Sequence, residues 1–148
     1  MNTNPPEILL VEDNEDDVFL MGRAMSKANI RPPIHVATTG QEAMDYLAGN
    51  GLFANRAAYP LPHCIFLDLK LPFYDGFEVL EWMGHQAALA HIPVLILTSS
   101  PEERDRERAR QLGARAYLVK PPTAKMLIEA LQAIPECAPA CLPATAVV

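Results

Sequence analysis

Basic residues, cysteines and long apolar runs are all in short supply in this chain. Lys and Arg number 12 against 18 Asp and Glu, and the resulting formal charge of -6 gives no support to a nucleic-acid surface. Three cysteines, Cys64, Cys137 and Cys141, leave one thiol over in any intramolecular disulfide scheme, a pattern ordinary for a reducing compartment. No uninterrupted apolar stretch reaches membrane-spanning length, and residues Met1 to Pro6 carry neither a basic segment nor a signal-like apolar core. The expectation is therefore a cytoplasmic protein without a membrane partner. What the chain does have is 148 residues at 50% hydrophobic composition, enough for one compact domain with a real core.

The organising stretch is Cys64-Ile65-Phe66-Leu67-Asp68-Leu69-Lys70-Leu71-Pro72. Cys64 to Leu67 is continuously apolar rather than alternating, which predicts a strand buried on both faces. Pro72 and Gly76 close the run, so Asp68 falls where strand gives way to loop. In an open α/β sheet that position is the mouth of the ligand crevice. Asp68 is thus a candidate for chemistry, the alternative being a carboxylate that caps the following turn or helix.

A second short apolar strand, Ile8 to Val11, ends in the acidic run Glu12-Asp13-Asn14-Glu15-Asp16-Asp17. Asn14 can cap a helix whose first turn places Glu15, Asp16 and Asp17 at the positive end of its dipole. Glu12 and Asp13 have no such local explanation. If this strand neighbours the one ending at Asp68, three carboxylates converge, and convergent oxygen ligands are what a hard divalent cation such as Mg2+ requires.

The rest of the chain repeats the rhythm. A helix from about Asp16 to Ala28 carries Val18, Met21 and Met25 on one face. A strand follows over Ile34 to Thr38, then a helix holding Ala43, Met44, Tyr46 and Leu47 as core contacts. Residues 47–61 read as a long surface loop with a helical turn near Phe53 to Ala57. Gly76 to Met83 is a helix with Phe77 and Leu80 inward and both glutamates outward, and Pro93 to Leu97 a buried strand leading to Thr98. Pro101 marks the first position of the next helix, whose Arg104, Arg106, Arg108 and Arg110 alternate with Asp105 and Glu107 as a solvated face; Gly113 ends it. Ala116 to Val119 is the last strand, and Lys120-Pro121-Pro122-Thr123 leads into a helix through about Ala133. Five strand and helix pairs predict an α/β fold with a doubly wound parallel sheet covered on both faces.

Such a sheet gathers the carboxyl ends of its strands at one edge, so Glu12, Asp13, Asp68, Thr98 and Lys120 can meet although they are distant in sequence. Their chemistry is complementary. A carboxylate nucleophile attacking phosphorus needs cationic help, which a metal and Lys120 could supply, while Thr98 could bond a phosphoryl oxygen.

On these residues the sequence resembles the receiver domain of two-component response regulators. Val11-Glu12-Asp13-Asn14 matches the family's acidic pair, Asp68-Leu69-Lys70-Leu71-Pro72 with Asp75-Gly76 its phosphoacceptor segment, Thr98-Ser99 its switch hydroxyl, and Lys120-Pro121 its lysine and proline. The resemblance implies a five-stranded sheet of flavodoxin-like order 2-1-3-4-5 over residues 8–134, after an extension of residues 1–7 and before a tail of residues 135–148. It implies that Asp68 accepts a phosphoryl group, that Asp13, Asp68 and the Lys70 backbone carbonyl ligate Mg2+ with Glu12 acting directly or through water, and that Thr98 and Tyr117 form the switch pair. The Lys120-Pro121 bond is expected to be cis on the same ground. The segment around Asp68 and the long loop before it look most like stand-alone regulators paired with bacterial phytochrome histidine kinases. Two departures stand out: Glu12 occupies a position usually held by aspartate, and Pro122 follows Pro121.

The expected function is a phosphorylation-controlled interaction module with no turnover of a metabolite. The alternatives are a small phosphotransferase or hydrolase with Asp68 as nucleophile, and a scaffold that is not phosphorylated. A homodimer through the arginine-rich helix and Tyr117 is a further expectation. The tail holds no basic residues for a DNA-binding module, and its two cysteines give only weak support to a metal site.

Overall fold

The computed structural model describes residues 7–143, so most of the N-terminal extension and residues 144–148 of the tail lie outside the described residues. Strands β1 (Ile8–Val11), β2 (Ile34–Ala37), β3 (Cys64–Leu67), β4 (Val94–Thr98) and β5 (Ala116–Val119) form one parallel sheet in the order β2-β1-β3-β4-β5. Helices α1 (Glu15–Lys27), α2 (Gly40–Ala48), α3 (Gly76–Gly84), α4 (Glu103–Gln111) and α5 (Ala124–Gln132) alternate with them, and a short α6 (Ala138–Cys141) follows. The doubly wound architecture and strand order are those expected.

The uniform apolarity of β1 and β3 has a direct cause, because each strand feeds two cores. Leu9, Val11, Ile65 and Leu67 face α2, α3 and α4, while Ile8, Leu10, Cys64 and Phe66 face α1, α5 and α6. Successive side chains point to opposite sides of a strand, so a strand covered on both faces has no polar position. Helices take their starts from local caps. Asn14 accepts from the Asp17 N–H, Thr39 from Glu42, Asp75 from Glu78 in a full capping box, and Thr123 from Met126. Each such cap stabilises its helix by about 1 kcal/mol.

Several boundaries differ from expectation. Pro101 is not at the first helical position: α4 starts at Glu103 with Glu102 as its cap residue. Ser100 organises that turn instead, its hydroxyl donating to Asp105 at 2.6 Å and accepting from the Glu102 N–H at 3.4 Å. Thr98 belongs to β4, and β2 stops at Ala37 because the Thr38 N–H turns to the Glu42 carboxylate. The helical turn in the loop is a 3-10 turn over Gly51–Ala54 rather than at Phe53 to Ala57. Phe77 is only half-buried, with the Arg108 guanidinium 4.2 Å from its ring centroid; Val79, Leu80 and Met83 fill the core.

The long loop is tied down more firmly than its composition suggests. Arg56 donates to the Tyr46 and Leu47 carbonyls at 2.7 and 2.9 Å, satisfying the open end of α2 with a cation where the helix dipole is negative. The Tyr46 hydroxyl donates to the Pro60 carbonyl at 2.7 Å, and the rings of His35, Tyr46, Phe53 and Tyr59 pack together.

Candidate functional site

The parallel ladder continues one residue past three strand pairs. Glu12 N–H donates to the Ala37 carbonyl, Asp68 N–H to Val11, and Lys120 N–H to Thr98, at 2.9, 3.1 and 2.8 Å. These bonds fix the residues after β1, β3 and β5 in strand-like positions along one edge, which is how local pairing delivers distant side chains to one place. Glu12 and Asp68 are buried there, Thr98 at the end of β4 is wholly inaccessible, and Asp13 is exposed.

Lys120 is the hub. Its ammonium, with the side chain 11% exposed, donates to Glu12 at 2.5 Å, Asp17 at 2.8 Å and Asp68 at 3.0 Å. Burial pulls the ammonium toward neutrality, but the hydrogen bonds to Asp17, Glu12 and Asp68 outweigh it and hold the pKa above the ordinary lysine range. Burial raises the Glu12 carboxyl, with the bond from Lys120 opposing and the charge of Asp68 reinforcing the rise. One ammonium against three carboxylates leaves the cluster with net negative charge, which a bound cation would offset.

Glu12, Asp13 and Asp68 each bring a carboxylate oxygen within 4.8 Å of the other two. Three hard oxygen donors, one exposed and two buried, fit a divalent cation that keeps part of its water shell. An open cavity of about 440 Å³ adjoins this trio, lined by Asp13, Lys70, Pro72, Ser100 and Asp105 among others. The Lys70 N–H points back to Asp68 at 3.4 Å, while its side chain is exposed.

The loop that carries Asp68 onward is clamped between two helix starts. Gly40 and Gln41 N–H groups donate to the Pro72 and Phe73 carbonyls, and Gly76 N–H to Leu69. A Cβ on Gly76 would lie 2.3 Å from the Asp68 carbonyl oxygen, so only glycine permits this approach. Phe73 and Tyr74 adopt left-handed backbone with φ of 47° and 74°, and both are exposed. Strain of this kind marks a loop held in place from both sides. The Lys120-Pro121 bond is cis, as expected.

Thr98 and Tyr117 are both hydrogen-bonded to Ser100, a residue that sequence reasoning passed over. The Ser100 N–H donates to Thr98 Oγ1 at 3.5 Å, and the Tyr117 hydroxyl donates to the Ser100 carbonyl at 2.8 Å. Arg106 stacks over the Tyr117 ring at 4.6 Å. Asp17 was missed as well, because its place in the first turn of α1 already explained an acid there.

A parallel sheet whose carboxyl edge joins a carboxylate trio to a buried ammonium is a site suited to phosphoryl transfer, and the family match assigns it to a signalling module controlled by phosphorylation. The chain belongs to the response regulator receiver domain family, whose model matches residues 8–132. It is 36% identical over 133 residues to the response regulator Rcp1 of Synechocystis sp., covering 89% of this chain and 88% of that protein. Among solved structures it is similar to the bacteriophytochrome response regulator AtBRR, with 40% identity, a TM-score of 0.79, and 88% and 93% of the two chains covered. The Mn(2+)-bound form of Rcp1 superimposes with a TM-score of 0.76 at 32% identity, covering 95% of this chain and all of that one. Among the described residues no helix is long and apolar enough to cross a membrane.

Proposed function

We propose that Asp68 accepts a phosphoryl group from the phosphohistidine of a histidine kinase linked to a phytochrome. The observation that carries this reading is the contact between Asp68 Oδ2 and the Lys120 ammonium at 3.0 Å, beside two further carboxylates of which Asp13 lines an open cavity. A carboxylate oxygen of Asp68 attacks phosphorus, the P–N bond to the donor imidazole breaks, and the electron pair stays on the imidazole nitrogen. Lys120 offsets part of the negative charge of the acyl phosphate that forms. Asp13, Asp68 and the Lys70 carbonyl, with Glu12 directly or through water, hold Mg2+; bound there, the ion offsets the negative charge of the phosphoryl oxygens. The metal assignment is supported by the donor set and by the similarity to a protein described in its Mn(2+)-bound form.

Thr98 donates its O–H to a phosphoryl oxygen, and that motion loosens the bond from Ser100 and hence the bond from Tyr117 to Ser100. The output is a changed surface at α4 and β5, with a second copy of the chain as partner. Arg104, Arg106 and Arg110 pair within the chain with Glu102, Glu103 and Glu107, so a dimer through this face exchanges internal ion pairs for reciprocal ones.

Incubation with Mg2+ and a small phosphoryl donor is expected to give a hydroxylamine-labile acyl phosphate that is absent in Asp68→Asn. Label of equal occupancy in that variant would remove Asp68 from the role. Sedimentation with and without the donor tests the output: a monomer at high concentration in both states eliminates the homodimer.

A further inference from the structure

All three cysteines of the chain meet at one place, on the opposite side of the sheet from α2, α3 and α4. Cys64 opens β3, and Cys137 and Cys141 bracket α6, which packs against it; all three are buried. The Sγ atoms of Cys64 and Cys141 are 3.9 Å apart although 77 residues separate them. Arg115 anchors this end of the chain by a two-point contact to Glu136, and the Cys137 thiol points to the His63 carbonyl at 3.8 Å. Cys141 also lines a cavity of about 250 Å³, together with Arg31, Ala140, Leu142 and Pro143. Cys141 therefore borders a cavity while its sulfur lies within reach of the Cys64 sulfur.

We propose that Cys64 and Cys141 form a peroxide-driven disulfide that ties the C-terminal segment to β3, the strand that leads into Asp68. The Cys141 thiolate attacks one oxygen of hydrogen peroxide, the O–O bond breaks, and hydroxide leaves to become water, giving a sulfenic acid. The Cys64 sulfur then attacks the Cys141 sulfur, the S–O bond breaks, and hydroxide departs with the Cys64 proton as a second water. Two thiol sulfurs are oxidised and one peroxide is reduced to two waters. The order of attack follows from the surroundings. Hydrogen bonds with the Cys137 and Cys64 thiols draw the Cys141 thiol below its usual range against the effect of burial, while contacts with the Cys137 and Cys141 thiols, and then burial, push Cys64 up. Cys137 and Cys141 lie on one turn, held by the Cys141 N–H bond to the Cys137 carbonyl at 2.9 Å, whereas Cys64 and Cys141 join two separate elements with their sulfurs 3.9 Å apart.

The unsubstituted protein is exposed to hydrogen peroxide, alkylated, digested and mapped by mass spectrometry. The expected product lacks two hydrogen atoms and links the Cys64 and Cys141 peptides, with Cys137 alkylated. Cys64→Ala is expected to leave a sulfenic acid on Cys141 that a dimedone probe captures, and Cys137→Ala, which removes a hydrogen bond to the Cys141 sulfur, to form the same Cys64–Cys141 linkage more slowly. A disulfide that includes Cys137, overoxidation without a linkage, or no reaction at peroxide levels that oxidise the denatured chain would each overturn the proposal. The mapping of the unsubstituted chain needs no variant to fold, and it is read without phosphorylation, so it stands apart from the assignment of Asp68.

Discussion

Asp17 Oδ2 lies 2.8 Å from the ammonium of Lys120, making an acid from the first turn of α1 the third carboxylate on a lysine that also binds Glu12 and Asp68. Asp17 is the most exposed of the three, at 32% for its side chain. Water therefore screens this pair more than the other two, and because Glu12 and Asp68 remain on the same ammonium and are relieved of a like charge, loss of Asp17 costs little stability. Its effect is on where the ammonium sits between competing acids.

Asp17→Asn is accordingly expected to change unfolding stability by less than about 1 kcal/mol while shifting the side-chain nitrogen NMR signal of Lys120. Asp16→Asn, one residue away and exposed, serves as the comparison. Identical Lys120 signals in the two variants would show that Asp17 does not set the position of the lysine.

The carboxylate trio divides the acidic run of the N-terminal segment into two groups. Asp13 faces Asp68, whereas Glu15 lies in the first turn of α1, where the helix dipole accounts for it. Asp13→Asn is expected to weaken Mg2+ binding by about tenfold or more, a scale set by loss of one charged ligand, and Glu15→Gln to leave it nearly unchanged. Equal losses in a calorimetric titration would contradict this division.

Gly76→Ala brings a methyl group to within 2.3 Å of the Asp68 carbonyl oxygen, a contact that the backbone must move to relieve. A cost of about 1–3 kcal/mol is expected, as for other overpacked sites, together with slower acceptance of phosphoryl label. Gly84→Ala, at the far end of the same helix, meets nothing within 4 Å and is expected to be neutral or mildly stabilising. Denaturant titration of the two variants side by side distinguishes the outcomes; equal stability would mean that the loop yields without resistance.

Tyr46 is wholly buried, and burial first, then the charge of Glu7, push its pKa from 10.0 up to about 12. Its neutral form is the one the fold favours, so the unfolded chain loses this proton before the folded one. Between pH 10 and about 12 the folded state binds more protons, and stability must fall as pH rises through that window; below pH 10 the contribution is complete. Tyr46→Phe is expected to flatten the decline in unfolding midpoint over that window. A decline of the same slope in the variant would assign it to other groups.

Much of this protein is written locally. The double-sided apolarity of Ile8 to Val11 and Cys64 to Leu67, the caps at Asn14, Thr39, Asp75 and Thr123, and the polar residue at each strand end depend only on near neighbours and on the two-residue period of a strand. Adjacency of β1 and β3, in register from Ile8 opposite Cys64 to Val11 opposite Leu67, then places Glu12 beside Asp68. The sequence alone therefore determined the strand and helix order, both cores in outline, and the residues that occupy the sheet edge. Tertiary structure decided which of several equivalent acids turns toward Lys120, because Asp16 and Asp17 differ only in the side of α1 they leave from. It also chose Ser100 as the joint between Thr98 and Tyr117, exposed part of Phe77, fastened the long loop through Arg56, and brought Cys64 to Cys141. These outcomes arise from packing between elements far apart in the chain. A local pattern can announce an acid, a hydroxyl or a thiol, but the direction it faces and the partner it meets are fixed only when the helices settle against the sheet.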